Sequence, residues 1–280
     1  MAAAPTPPVS SAPPGPFPLG APCWVDAVFP DAEGAKRFYG DLLGWTFTEP
    51  SEDYGGYAQA LVDGRPAAAI VPPMPGQEDP PIAWNLYFAS PDIEATAARI
   101  REHGGTVTMD PMPVGEFGSM LVAQDPGGVW FSVWQAGKHP GFTLPPETPG
   151  MFCWAEVTTR QHEEADRFFS AVFDYEVQRM EDDTVDFTIW TVPGSRSGPA
   201  AGRLRIDERM PDDLPAHVNV YFTVLDLDPA LETVARHGGT VVVGPEQSPF
   251  GRFATIHDPW GATLTLIDTS RTEGDMPAFT

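Results

Sequence analysis

The stretch His103-Gly104-Gly105-Thr106-Val107 recurs in the second half of the chain as His237-Gly238-Gly239-Thr240-Val241. Further pairs recur around it in the same order, at an offset of about 130 residues. They are Cys23-Trp24 with Cys153-Trp154, Phe38-Tyr39 with Phe168-Phe169, Asn85-Leu86-Tyr87-Phe88 with Asn219-Val220-Tyr221-Phe222, and Asp125-Pro126-Gly127-Gly128 with Asp258-Pro259-Trp260-Gly261. The chain therefore reads as a tandem duplication of one domain.

The repeat and the proline content set the expected boundaries. We place an N-terminal domain at residues 21–138 and a C-terminal domain at 150–270, joined by a linker at 139–149. The Ala- and Pro-rich residues 1–20 predict a disordered leader, and residues 271–280 a tail. Each domain is long enough to bury a core of its own. Two such domains can pack as a pseudo-dimer, which favours a monomeric protein.

Composition excludes several classes of function. The 16 Lys and Arg against 39 Asp and Glu, a net charge of -23, leave no basic stripe for phosphates, so we expect no nucleic-acid binding. No apolar run approaches the roughly 18 residues that a membrane span needs. The leader also lacks the basic start and apolar core of a secretory signal, so we expect a cytoplasmic protein.

Within each half a shorter unit repeats, a strand followed by a helix and three strands. In the first unit a strand over 22–29 precedes a helix that Gly44 ends. In the second unit Ser90-Pro91 is expected to open the helix. The helices of the other half are predicted at residues 161–173 and 229–236. The pattern indicates an α+β protein of four βαβββ modules, paired two by two.

Four such modules resemble the vicinal oxygen chelate (VOC) superfamily, which includes glyoxalase I, bleomycin-resistance proteins and extradiol dioxygenases. The resemblance covers residues 20–270 and rests on the aromatic pair of the first helix and the Asp-Pro-x-Gly turn. The Cys-Trp, Asn-x-Tyr-Phe and Val-Trp-Gln motifs are similar to tandem-domain actinobacterial glyoxalase-like members, some from antibiotic-producing pathways. The resemblance implies two glyoxalase/bleomycin-resistance-like open-barrel domains, each around a cavity.

Metal-binding members of that superfamily place one ligand on the first strand of each module and one on the last. The residues that match those positions, with the middle strand included, are Trp24, Asn85 and Ser132 in the first domain and Trp154, Asn219 and Thr265 in the second. Trp cannot bind a metal, and a divalent ion needs several His, Asp, Glu or Cys donors. We therefore expect no metal and no cofactor.

Alternation along strands predicts which candidate side chains share a face, and the resemblance implies that these faces line the cavities. In the first domain they are Trp24, Asp26, Asn85, Tyr87, Trp130, Ser132 and Trp134. In the second they are Trp154, Glu156, Asn219, Tyr221 and Thr265. Each Trp taken singly could equally belong to the core. A carboxylate on such a face needs a hydrogen-bonding partner, water or a ligand.

These observations favour a metal-independent protein that binds a small aromatic ligand in a Trp-rich cavity. The ligand would be a natural product or antibiotic, neutral or cationic, bound for sequestration or as an accessory to its biosynthesis. The alternative is an enzyme, either a glyoxalase-like lyase or a cofactor-free hydroxylase or isomerase with Asp26 or Glu156 as its base. The sequence leaves catalysis and sequestration both open.

Overall fold

The tandem repeat folds into two eight-stranded sheets with the same strand order, one from each half of the chain. The structure is a computed structural model, and it describes residues 17–74, 76, 82–182, 184–195 and 198–280. The predicted leader lies outside the described residues up to residue 16. Within the described part of the chain, no helix is long and apolar enough to cross a membrane.

The first sheet has the order β2-β3-β4-β1-β5-β8-β7-β6. Its strands are β1 (Pro22–Val28), β2 (Thr46–Phe47), β3 (Ala58–Val62), β4 (Arg65–Val71), β5 (Trp84–Ala89), β6 (Thr106–Val114), β7 (Gly118–Gln124) and β8 (Trp130–Ala136). Helix α1 (Ala32–Leu43) follows β1, and α2 (Ile93–Glu102) follows β5. β1 pairs parallel with β4 and antiparallel with β5, so the two modules join at their first strands.

The second sheet repeats this topology as β10-β11-β12-β9-β13-β16-β15-β14. Its strands are β9 (Phe152–Thr159), β10 (Glu176–Arg179), β11 (Phe187–Thr191), β12 (Ala201–Arg205), β13 (His217–Thr223), β14 (Thr240–Ser248), β15 (Gly251–His257) and β16 (Thr263–Asp268). Helix α3 (His162–Phe173) follows β9, and α4 (Leu227–Arg236) follows β13. The predicted four βαβββ modules are therefore confirmed.

The helix ends follow local side-chain chemistry. Asp31 accepts a hydrogen bond from a backbone amide in the first turn of α1, and Gly44 ends that helix in the left-handed conformation. The prediction that Ser90-Pro91 opens α2 is wrong by two residues. Asp92 is the N-cap, and the Ser90 hydroxyl instead accepts from the Asp92 amide. A sequence with two capping residues two positions apart does not by itself show which one caps the helix.

Contacts between the ends of the first sheet show that it curls around a cleft. Tyr54, between β2 and β3, packs edge-on against Phe117 in the β6–β7 turn, with ring centroids 5.6 Å apart. The end strands of a flat eight-stranded sheet would be about 33 Å apart. The sheet must therefore fold back on itself, which gives the open barrel that the sequence predicts.

The second sheet is closed across its ends by residues 271–280, which we call the C-terminal strap. The Glu273 amide donates to Ser248 at the end of β14, while Thr280 exchanges two backbone hydrogen bonds with Arg179 of β10. The Glu181 amide also donates to the carbonyl of Ala278. The five residue steps from Glu273 to Ala278 can span at most about 18 Å. The ends of the second sheet therefore also lie close together.

The two domains share one apolar core. Helix α1 packs on α4 and α2 on α3, with ring contacts such as Phe131 to Phe168. The linker is part of this packing, because Phe142 stacks on Phe152 at 5.1 Å. Tyr39 donates to the buried Asp258 carboxylate at 2.8 Å. The halves thus meet as the pseudo-dimer that a tandem duplication suggests.

We expect Tyr39→Phe to lower the free energy of unfolding by about 2 kcal/mol, because it leaves two buried polar groups without a partner. These are the Asp258 oxygen and the Trp84 indole N–H, which donates to the Tyr39 hydroxyl at 3.1 Å. Urea unfolding measures the effect. Tyr54→Phe, at an exposed tyrosine, is the control and should change stability little. A loss equal to that of the control would contradict the assignment.

The position in α3 that is equivalent to Tyr39 allows the opposite test, in which a hydroxyl group is added. Phe169 stands where α1 has Tyr39, and the Asp125 Oδ2 atom is buried without a hydrogen-bond partner in the described part of the chain. Phe169→Tyr is expected to supply that bond and to raise stability by up to about 1 kcal/mol.

Candidate functional site

The candidate site lies on the inner face of the first sheet, around Asp26 of β1. Asp26 pairs with Asn85 on β5, and one row away Trp24 pairs with Tyr87. The Tyr87 hydroxyl donates to Asp26 Oδ2 at 2.8 Å and the Asn85 amide to Oδ1 at 3.2 Å. The Tyr57 hydroxyl also hydrogen-bonds the carboxylate. Three donors, two from β5 and one from the residue that precedes β3, therefore surround one half-buried carboxylate.

A second layer of hydrogen bonds orients these donors. The Trp24 indole N–H donates to the Tyr57 hydroxyl at 2.7 Å, and the Ser132 hydroxyl donates to Asn85 Oδ1 at 3.0 Å. Because both ends of the Asn85 amide are engaged, its NH₂ group is held toward Asp26. The structure thus brings together five of the predicted residues and adds Tyr57.

Tyr57 is a residue that the sequence analysis missed. It precedes β3, and two-residue alternation puts it on the same face as Gln59, which lies beside Ala69, the partner of Asp26. The alternating pattern that includes Tyr57 is therefore visible in the sequence. It assigns Tyr57 to the cleft only when the register of β3 against β4 is known.

Burial dominates the electrostatics of this site. It raises the pKa of Asp26 to about 6, although the hydrogen bonds from Tyr87, Asn85 and Tyr57 oppose the shift. Burial, followed by the Asp26 charge, raises the pKa values of Tyr57 and Tyr87 well above the ordinary tyrosine value. At neutral pH the site therefore holds one carboxylate and two neutral phenols.

Aromatic rings close one end of the cleft. His139 meets Trp24 edge-on, with ring centroids 4.4 Å apart, and its carbonyl accepts from the Trp134 indole at 3.0 Å. Tyr87 contacts Trp134 edge-on at 6.5 Å. Burial lowers the pKa of His139 to about 4, so this ring is neutral at pH 7. The sequence analysis assigned His139 to the linker and missed its place at the cleft.

Trp130 stands apart from this network at the other end of the cleft. β8 runs parallel to β5 with Tyr87 opposite Ser132. The same register places Trp130 in the row of Asn85 and Asp26, on the inner face. Its side chain is 52% exposed, whereas Trp24 is 3% exposed. Trp24 and Trp134 are therefore wall residues, and Trp130 is an accessible aromatic surface.

The second domain repeats the arrangement around Glu156 of β9. Glu156 pairs with Asn219, and Trp154 pairs with Tyr221. The Trp154 indole donates to Glu156 Oε1 at 3.2 Å, and the Tyr221 hydroxyl hydrogen-bonds the same carboxylate. Asn219 instead donates to Thr265 at 2.9 Å. Burial raises the pKa of Glu156, and the two hydrogen bonds oppose that shift.

A separate cavity lies beside β10 and β12. Its volume is about 1030 Å³, and Arg205 and Arg209 are among its lining residues. Both arginines already form ion pairs with Asp186 and Asp207. We place the candidate site at Asp26 because its carboxylate is desolvated and has no cationic partner among its interactions.

The donors in the first cleft do not fit a divalent metal. Asp26 is the acidic group there, and its oxygens already accept from Tyr87, Asn85 and Tyr57. A metal site needs several His, Cys, Asp or Glu ligands that converge on one point. Residues 17–74, 76, 82–182, 184–195 and 198–280 contain no group of three such side chains. No chemistry is assigned to a metal here.

Models of known families match both halves. Residues 24–133 match the glyoxalase/bleomycin resistance protein/dioxygenase superfamily, and residues 154–267 match the glyoxalase-like domain. The chain belongs to the glyoxalase/bleomycin resistance protein/dioxygenase superfamily. The resemblance drawn from the sequence is confirmed, and so is the tandem arrangement of two superfamily domains.

Relatives of this superfamily member cover nearly its whole length. It is 34% identical over 258 residues to "Putative glyoxylase CFP32" of Mycobacterium tuberculosis, covering 89% of this chain and 94% of the relative. It is 32% identical to the anthracycline biosynthesis proteins DauV of Streptomyces sp. strain C5 and DnrV of Streptomyces peucetius. These two alignments each cover 90% of this chain and 94% of the relative.

Solved structures of superfamily members share the fold. The Mn(II)-bound glyoxalase from Novosphingobium aromaticivorans has a TM-score of 0.61 at 17% identity, over 91% of this chain and 86% of its own. The 2,3-dioxygenase LapB from Pseudomonas sp. KL28 has a TM-score of 0.64 at 14% identity, over 93% and 94%. These likenesses establish the fold alone.

We expect Asp26→Asn to stabilise the fold at neutral pH. The pKa of Asp26 is about 6 in the folded protein, above its ordinary value of 3.8. The folded state therefore holds the proton more tightly, and stability falls as the pH rises from about 4 to 6. The neutral amide removes this loss. The expected gain is on the order of 1–2 kcal/mol near pH 7.5 and close to zero near pH 4.

Urea unfolding of the variant and the native chain at both pH values measures this difference. Asp53→Asn, at an exposed aspartate, is the control and should show no pH-dependent gain. Equal stability changes at both pH values for Asp26→Asn would contradict the raised pKa.

Proposed function

We propose that the first cleft binds a flat aromatic small molecule, which stacks on Trp130 and contacts Asp26. The observation that carries this proposal is the pairing of a desolvated, half-buried carboxylate with an exposed indole on the same inner face. Aromatic ligands favour such surfaces, where a few fixed polar groups orient the molecule. The binding described here needs no metal.

The relatives suggest the class of ligand. DauV and DnrV are named as anthracycline biosynthesis proteins. We infer that the ligand here is likewise a polycyclic aromatic natural product, held for sequestration or as an accessory to its biosynthesis. An ionised Asp26 would attract a cationic group on such a ligand, and the acidic chain with its net charge of -23 would favour its approach.

A second candidate function is supported by the pKa of Asp26. A carboxylate with a pKa of about 6 is a stronger base than an ordinary aspartate and is still ionised at pH 7. Asp26 could then remove a proton from an aromatic substrate, as in a cofactor-free hydroxylase or isomerase. Glu156 is the corresponding base in the second cleft, and its pKa is also raised. The donor set does not support the metal-dependent lyase.

We also propose that the protein acts as a cytoplasmic monomer. The interdomain packing supports the monomer, because the helices of each half already cover those of the other. The cytoplasmic location is a prediction from the sequence.

Binding can be tested with 1,8-dihydroxyanthraquinone as a flat aromatic probe, followed by quenching of tryptophan fluorescence. We expect saturable quenching in the native chain and an affinity about tenfold lower in Trp130→Ala, because a stacked ring contributes about 1–1.5 kcal/mol. Phe250→Ala is the matched control, since Phe250 is 50% exposed and lies in the other domain. Equal affinities in all three proteins would contradict the proposed site.

The two roles of Asp26 are separated by Asp26→Asn. If Asp26 is a base, incubation of 1,8-dihydroxyanthrone, which has an acidic CH2 group, in D2O should give a deuterated product faster than buffer alone does, and mass spectrometry detects the added mass. Its rate of formation should rise through about pH 6, and the variant should lose it while keeping its affinity. If Asp26 only binds ligand, no product forms beyond that in buffer alone and the variant loses affinity for cationic probes alone. A product that forms equally fast with the variant would exclude Asp26 as the base.

A further inference from the structure

One difference between the second cleft and the first is that a phenylalanine stands at the position of Tyr57. Gln59 lies beside Ala69, which pairs with Asp26. In the second sheet Ile189 lies beside Gly202, which pairs with Glu156. Two residues before Gln59 and Ile189 stand Tyr57 and Phe187, so these are equivalent positions. Phe187 has no hydroxyl group that could accept from a neighbouring indole.

Gly202 makes room for two rings at this place. A Cβ atom there would lie 2.5 Å from the Phe187 ring and 3.1 Å from the Trp154 ring. Both rings therefore pack over the bare backbone of β12. The Trp154 indole N–H then donates to Glu156 Oε1, whereas the Trp24 indole donates to a tyrosine hydroxyl. Without the tyrosine hydroxyl, the indole N–H donates to the carboxylate instead.

This change leaves an acceptor unused. Asn219 pairs with Glu156 in the sheet, but its NH₂ group donates to Thr265. Asn219 is 7% exposed, and its Oδ1 atom is buried without a hydrogen-bond partner among the described residues. In the first cleft the equivalent Asn85 uses both ends of its amide.

The second cleft therefore has a surplus of acceptors. Glu156 is half-buried and receives hydrogen bonds from Trp154 and Tyr221, whereas an ionised carboxylate can accept about four. The Asn219 oxygen receives none. Buried acceptors are unfavourable without donors, so a ligand that brings donors would be stabilised here.

We propose that the cleft of the C-terminal domain is a separate ligand site for a small molecule with a protonated amine or hydroxyl groups on an apolar ring. The donors would meet Glu156 and Asn219, and the ring would pack on the half-buried Trp154 and Phe187. This site does not depend on aromatic binding in the first cleft. The C-terminal strap links the two ends of the sheet that forms it.

The test is NMR of the tryptophan indole N–H groups in the full chain, which has eight tryptophans. Trp24→Phe and Trp154→Phe assign the two signals of interest. The probe is methyl glucosaminide at about pH 6.5, where its amine is protonated, and methyl glucoside is its neutral counterpart. We expect the amine to shift the Trp154 signal in a saturable way and to leave the Trp24 signal unmoved.

Variants separate recognition from nonspecific effects. Glu156→Gln is expected to weaken binding of the amine about tenfold or more, because it removes the charge-assisted hydrogen bond. Asp26→Asn is the matched control in the other cleft and should leave the Trp154 response unchanged. Asn219→Ala, a second variant, should weaken both probes severalfold.

Three results would overturn the proposal. One is a Trp154 signal that neither probe moves. Another is equal affinity of the amine for the native chain and for Glu156→Gln. The third is an equal shift of the Trp24 and Trp154 signals. A failure of anthraquinone to bind the first cleft would leave these readouts unaffected, so the two proposals can fail separately.

Discussion

A carboxylate on the inner face of a curled sheet is the constraint around which the first cleft is arranged. Water is largely displaced from Asp26, so its charge must be stabilised by protein donors or lost by protonation. Tyr87, Asn85 and Tyr57 supply the donors. Each of them is fixed by its strand register or by a further hydrogen bond, such as that from Ser132. The cleft is therefore a preorganised polar network within an aromatic wall. The pKa of Asp26 stays at about 6 because the three hydrogen bonds offset only part of the effect of burial.

Duplication explains how two such clefts came to differ while the fold stayed the same. The helices and their aromatic rings form the interface between the halves. A substitution there would create a cavity or leave a buried polar group without a partner, as at Tyr39 and Asp258. The side chains on the inner faces of the sheets are not part of this interface, so they can change without disturbing it. Among the differences on these faces, Phe187 in place of Tyr57 goes with an indole that donates to the carboxylate instead of to a phenol. The clefts therefore offer different hydrogen-bonding groups.

Much of the fold could be predicted because its signals are local. Helical spacing, the glycine after α1 and the repeated Asp-Pro turns are read within a few residues. Two-residue alternation likewise placed Trp24 with Asp26 and Asn85 with Tyr87. Tyr57 and His139 could not be assigned to the cleft in this way, because they reach it from a strand end and a connection. The strap was not foreseen for the same reason, since its hydrogen bonds join residues that are distant in sequence to Arg179 and Ser248.

The position of Trp130 shows why side-chain exposure decides between core and site. The sequence places Trp24, Trp130 and Trp134 on the same inner face, and residue type alone assigns them the same role. In the structure Trp24 and Trp134 donate their indole N–H groups to protein acceptors and are buried, so they are structural walls. Trp130 begins its strand at the open end and remains half exposed. A flat ligand can use an accessible ring in the row of a desolvated carboxylate. The ligand's apolar face can stack on Trp130 and its polar group can contact Asp26 while the buried wall residues stay in place.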